Sequence, residues 1–203
     1  MNSNKIISQK DSIKNLIVSI GIPFENDFTH FDELNGEISE ILDLALSKIR
    51  KSQLKKTDLL PVLAYLSSNH QYYANTALPT ISLSFWNVIQ NHKHGRFILE
   101  LCSSLFNEFA VALNSHIQEE ETIFKLLKSQ PQKRNSAIDF FSSSHHNESS
   151  ALESIIDLLT TLQVEKTLAP QNILNIQLEN LVNELKIHTF VEERILLPIL
   201  LNN

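Results

Sequence analysis

His116-Ile117-Gln118-Glu119-Glu120-Glu121-Thr122-Ile123-Phe124 and His188-Thr189-Phe190-Val191-Glu192-Glu193-Arg194-Ile195-Leu196 are two distant segments of this chain with nearly the same pattern. In each, a histidine is followed four residues later by a glutamate, then a second glutamate and an apolar tail. Helix positions i and i+4 share one face, one turn apart. Each segment can therefore aim one imidazole and one carboxylate at a single point. A lone His-x-x-x-Glu is commonly an exposed ion pair. A matched duplicate is less easily explained that way, and the rest of the chain decides whether the two can meet.

Around these segments the sequence reads as helical throughout. It has 203 residues, 42% of them hydrophobic and only three of them glycines. That length can bury a substantial core. Few β-branched alternations and many Leu, Ile, Asn, Glu and Lys favour helices. Residues 1–55 are expected to form a small helical N-terminal region. In it, one apolar stripe runs from Asp11 to Ile20 and a second through Ile38, Ile41, Leu42, Ala45, Leu46 and Ile49. Arg50 to Lys56 reads as a linker.

Residues 57–203 carry four long helical patterns. The first opens at Thr57-Asp58, tolerates Pro61 in its first turn, should kink at Pro79 and ends near His94-Gly95. The second runs from Arg96 to Lys128 with Leu99, Leu105, Phe106, Phe109 and Leu113 on its apolar side, and Ser129-Gln130-Pro131 stops it. The third spans about Asn135 to Leu162, and the fourth runs from Pro170 to the C-terminus, with Pro198 in its last turns. Short links between long helices make neighbours antiparallel, so the expected fold is all-α, an up-down-up-down four-helix bundle with an N-terminal helical appendage.

Helix lengths then act as a ruler. His70 lies 12 residues after Asp58, His116 lies 12 before Lys128, His146 lies 11 after Asn135 and His188 lies 12 before Leu200. At 1.5 Å per residue, all four histidines fall roughly 17–18 Å from one end of the bundle. His92 and His94 fall at the opposite end, roughly 33–36 Å away from His70, and His30 lies in the appendage. His145 is turned about 100° from His146 around the helix. Four imidazoles and the carboxylates Glu120 and Glu192 at one level suit a pair of metal ions, and nitrogen with oxygen donors suits iron, manganese or zinc. One arrangement gives His70 and His188 to one ion and His116 and His146 to the other, with Glu120 and Glu192 bridging. An oxo or hydroxo bridge would add a fifth ligand to each ion and leave a position open for a small molecule. Redox-inert zinc would gain little there, so two iron ions are expected. Glu119, Glu121 and Glu193 read as solvated acids or as supports to the ligands. Tyr72, Tyr73, Phe124 and Phe190 read as core, and Trp86 as a packing residue.

Composition removes other classes. A net charge of −6, with a single short basic stretch between Lys48 and Lys56, does not suit a nucleic-acid binder. Three glycines cannot build a phosphate-binding loop. No apolar run approaches the ~20 residues of a membrane span, and Met1 to Lys10 lacks the apolar centre of a signal peptide. One cysteine, Cys102, excludes an internal disulfide and fits the cytoplasm.

On these residues the chain resembles the hemerythrin-like cation-binding domain. Within it, the likeness is greatest to the di-iron proteins that repair iron–sulfur clusters after oxidative and nitrosative stress. The resemblance covers about residues 60–200. It is carried by Tyr65 to Pro79, by His116 to Glu121, by His146-Asn147-Glu148 and by His188 through Pro198. It implies that His70, His116, Glu120, His146, His188 and Glu192 are iron ligands. It implies as well an oxygen or nitric oxide ligand and iron–sulfur protein partners. Oxygen carriers of this type use a second histidine one turn from the first on the third helix, but here those positions are Ser142 and Ser150. That favours the repair type. In another respect the chain departs from the repair proteins, because residues 1–55 lack the adjacent cysteine pair of their N-terminal domain. A sensor or binding protein for oxygen, nitric oxide or iron, with the N-terminal helices passing on the signal, is the competing reading.

Overall fold

The computed structural model describes residues 59–91, 95–130, 133–143, 148–161 and 169–202. The expected N-terminal helices and linker, together with His30, His92, His94, His145 and His146, lie outside the described residues. Everything described is helix or short connection, and no strand occurs among the described residues. The helices are α1 (Leu59–Tyr72), α2 (Leu78–Asn91), α3 (Arg96–Ser129), α4 (Arg134–Ser143), α5 (Glu148–Thr161), α6 (Ala169–Val191) and α7 (Leu197–Asn202). α1 and α2 are joined by a π-helical turn at Tyr73–Ala77, and α6 and α7 by another at Glu192–Leu196. The all-α bundle expected from the periodicity is therefore present. α3 begins and ends within a residue of its expected bounds. Its start is set by Gly95, whose positive φ of 73° suits a residue without Cβ and whose carbonyl accepts from the N–H groups of Ile98 and Leu99.

Contacts divide the described residues between two compact units. One lies within Asn69–Ile123 and His146–Leu185. Its core takes side chains from four helical stretches: Tyr73, Ile81 and Phe85; Leu99, Cys102, Phe106 and Leu113; Leu152, Ile155 and Leu159; Leu174, Leu178 and Leu181. The Phe85 and Phe106 rings pack with centroids 5.4 Å apart, and the Tyr73 hydroxyl donates to the Glu184 carbonyl at 3.0 Å. Of the apolar side expected for α3, Leu99, Phe106, Phe109 and Leu113 are buried, and Leu105 packs against them half-buried. Two aromatic residues differ from expectation: Tyr72 and Trp86 are exposed. Contrary to the expectation that no apolar run approaches a span, α3 is long and apolar enough by length and composition to cross a membrane. Its Leu99, Cys102, Phe106, Phe109 and Leu113 are committed to this core, as in the core helix of a bundle.

The other unit lies within Met1–Ser68, Phe124–His145 and Lys186–Asn203. Phe124 stacks on Phe141 with ring centroids 6.1 Å apart, and Phe140 meets Phe141 edge-on at 5.1 Å. α7 packs on α4 and on the second π turn, and Ile195, Leu196, Ile199 and Leu200 are buried.

Both π turns stand directly before a Leu-Pro pair, Leu78-Pro79 and Leu197-Pro198. In each, the leucine N–H reaches back five residues, from Leu78 to the Tyr73 carbonyl and from Leu197 to the Glu192 carbonyl. A proline ring in a helix collides with the carbonyl four residues earlier and offers it no hydrogen. Those carbonyls belong to Asn75 and Arg194, both inside the π turns. Widening the turn relieves the collision, so the kink expected at Pro79 takes the form of a π turn just ahead of it.

Candidate metal centre

The helical stripes that build the core also carry the candidate ligands. Along α1 and into the first π turn, Val62, Leu63, Leu66, His70 and Tyr73 are buried at helical spacing. Along α3 the stripe runs Leu113, Ile117, Glu120, Phe124, Leu127, and along α6 into the second π turn it runs Leu178, Leu181, Leu185, His188, Glu192. His70, Glu120, His188 and Glu192 thus stand at positions the pattern gives to aliphatic residues. They are also the buried histidines and carboxylates among the described residues, from 1% to 4% exposed. An ionised carboxylate taken out of water is costly unless a cation or strong donors face it.

In the unit within Asn69–Ile123 and His146–Leu185, Glu120 stands between two imidazoles. Its Oε2 lies 2.9 Å from His70 Nε2, and its Oε1 lies 2.9 Å from His116 Nε2. His116 is one turn before Glu120 on α3 and about one fifth exposed, so this edge of the cluster meets solvent. The far side of the His70 ring is held as well, with Nδ1 2.8 Å from Glu121 Oε1. Glu119 points away and is exposed. In the other unit, His188 Nε2 lies 3.3 Å from Glu192 Oε1, the first residue of the second π turn. His188 and Glu192 are paired as the duplicated motif predicts. His146 lies outside the described residues.

These contacts fit a metal site. Two ligand atoms about 2.0–2.2 Å from one ion, at angles between octahedral and tetrahedral, stand roughly 2.9–3.5 Å apart. All three nitrogen–oxygen pairs, at 2.9, 2.9 and 3.3 Å, fall in that range. Each of the two Glu120 oxygens faces its own imidazole. Only nitrogen and oxygen donors take part, as iron, manganese or zinc accept. Cys102 contributes nothing here; it is fully buried in the core, and burial pushes its thiol above the ordinary range. Burial likewise raises the Glu184 carboxyl, four residues before His188.

A helical bundle whose buried polar side chains are imidazoles paired with carboxylates defines a metal-binding domain of the His/Glu type. The family model of the hemerythrin HHE cation-binding domain matches residues 86–200, more than half of the chain, and the chain belongs to that family. No curated protein matches the chain, and no solved structure does. The match takes in His116, Glu120, His146, His188 and Glu192 but begins after His70. That residue joins the cluster through its position against Glu120.

Sequence reasoning left Glu121 undecided between solvent and support, and the structure places it on His70. Its position on α3, adjacent to Glu120 and flanking the buried stripe, was the available signal. The π turns were not foreseen, although the repeated Leu-Pro pairs mark both.

Proposed function

We propose that this chain is a non-haem di-iron protein in which His70, His116, Glu120, His146, His188 and Glu192 hold two iron ions. In this reading it serves the oxidative and nitrosative stress response by restoring damaged iron–sulfur clusters. The observation that carries the metal reading is Glu120, a buried carboxylate with one oxygen 2.9 Å from each of two imidazoles on different helices. Family membership supports it, since the matched domain binds cations. When bound, an iron pair supplies one-electron chemistry and exchangeable metal. The residues' own tasks are separable: Glu120 and Glu192 would supply carboxylate oxygens to the ions, and the imidazoles would fill the remaining positions. The partly exposed His116 gives a diatomic molecule such as oxygen or nitric oxide an approach.

The cytoplasm, where iron–sulfur enzymes are damaged and restored, is the compartment this role implies. The test uses the full chain, loaded with ferrous iron without oxygen and added to an oxidatively inactivated iron–sulfur enzyme. Recovery of that enzyme's activity with the wild type, and not with Glu120→Leu or Glu192→Leu, is the expected result. Equal recovery with both variants would overturn the proposal.

One observation favours a second reading. Residues 1–55 contain no cysteine, and the one thiol of the chain is buried, so no thiol step accompanies the metal. A sensor or binding protein for oxygen, nitric oxide or iron needs none. Reversible gas binding with a spectral change, without recovery of the damaged enzyme, would select that reading.

A further inference from the structure

Consecutive residues of α3 grip one imidazole from two sides. Glu120 Oε2 faces His70 Nε2 at 2.9 Å, and Glu121 Oε1 faces His70 Nδ1 at 2.8 Å. Glu120 sits on the buried stripe of α3, and Glu121 is turned about 100° from it. The Glu121 side chain is 28% exposed whereas that of His70 is 2% exposed, so Glu121 reaches inward from the solvent edge to a buried ring. An ionised carboxylate only accepts, so Nδ1 must carry the hydrogen of this bond. The ring nitrogen then left for a cation is Nε2, the one that faces Glu120. Without Glu121 the buried ring could take the other tautomer or rotate about its χ2.

From this geometry we infer that Glu121 is a positioning residue: it fixes the tautomer and orientation of His70 so that Nε2 is presented to the metal. A carboxylate behind a ligating histidine also raises the basicity of the ring, and losing such a partner typically weakens metal binding about 10–100-fold. The inference rests on the reading of His70 as a metal ligand. It gives Glu121 the orienting of the ring that Glu120 faces from the other side.

The experiment titrates ferrous iron, without oxygen, into the full chain as wild type, Glu121→Gln and Glu121→Ala, with thermal melts to confirm folding. Wild type should bind two equivalents. Glu121→Ala should keep both but hold one about 10–100-fold more weakly, leaving the other unchanged. Glu121→Gln, which retains an acceptor without the charge, should fall between. A second readout needs no metal: in a Glu120→Leu background, which removes the carboxylate facing Nε2, nitrogen-15 spectra of His70 at a pH where the ring is neutral should place the ring hydrogen on Nδ1. With Glu121→Ala added it should move to or be shared with Nε2, a change that a merely structural role would not produce. Two-equivalent binding by the wild type with unaltered affinity and tautomer in Glu121→Ala would overturn the inference. Wild-type protein that takes up less than about one iron per chain would instead remove the metal reading, and the tautomer measurement would still decide whether Glu121 orients His70.

Discussion

Glu120→Leu should leave the metal-free protein about as stable as before while abolishing most of what iron adds. The side chain is 1% exposed, and both oxygens have imidazole nitrogens at 2.9 Å. With the His70 ring hydrogen on Nδ1, facing Glu121, only His116 donates to Glu120 in the metal-free chain, and one hydrogen bond to a charged group contributes about 1.5–3 kcal/mol. Desolvating the carboxylate opposes it by several kcal/mol, so the balance is near zero. Leucine of similar volume removes both terms. The imidazole nitrogens it leaves behind cost about 1–3 kcal/mol if unsatisfied, partly offset by the added apolar burial. A net change within about 2 kcal/mol shifts Tm by at most about 4–8 °C for a chain of this size. Iron acts on a larger scale. At a free concentration 100-fold above Kd each bound ion stabilises by about 2.7 kcal/mol, so two ions raise the wild-type Tm by roughly 11–22 °C. The assay is a pair of oxygen-free melts, with and without ferrous iron, on wild type and variant. The reasoning fails if Glu120→Leu gains the full wild-type increment. It fails in another way if the metal-free variant loses more than about 4 kcal/mol, because Glu120 would then be a structural ion-pair partner.

Other consequences concern the frame around the site. Tyr73→Phe removes the bond from the buried hydroxyl to the Glu184 carbonyl and should cost about 1–2 kcal/mol, read by urea unfolding of the metal-free chain. Glu184 has its carboxyl raised by burial, so the folded chain holds that proton more tightly than the unfolded one. Its contribution to stability is complete below the unfolded value near 4.5 and is lost as pH rises through the higher folded value. Glu184→Gln should therefore melt above wild type at neutral pH, with the difference vanishing by about pH 4. Cys102 is buried and its thiol raised, both of which suppress the reactive thiolate. Native protein should leave a thiol-specific reagent nearly unconsumed, whereas the urea-unfolded chain should react with one equivalent; prompt reaction of the native chain would contradict the burial.

Much of this protein is written in a period of 3.6 residues. Leu113, Ile117, Glu120, Phe124 and Leu127 form one stripe, and Leu178, Leu181, Leu185, His188 and Glu192 another. A glutamate or histidine in such a stripe is buried as surely as the leucines beside it. Periodicity also set the bounds of α3 and marked the core side of that helix. It could not show the π turns, because a single residue added to one turn barely disturbs the apolar pattern. The clue was the chemistry of proline, which stands two residues after the end of a π turn at Leu78-Pro79 and again at Leu197-Pro198.

The two His-x-x-x-Glu segments determined by themselves that each helix would present an imidazole and a carboxylate on one face, since helix geometry links residues four apart whatever surrounds them. Only the tertiary structure decided which acids serve which ring. His70 is separated from Glu121 by 51 residues, and no local rule connects them. The way one helix packs against another fixes that pairing, and a rotation of α3 by one residue would exchange Glu120 for a neighbour. Packing gave Glu120 one imidazole on each oxygen, placed Glu121 behind His70 and left Glu119 in solvent.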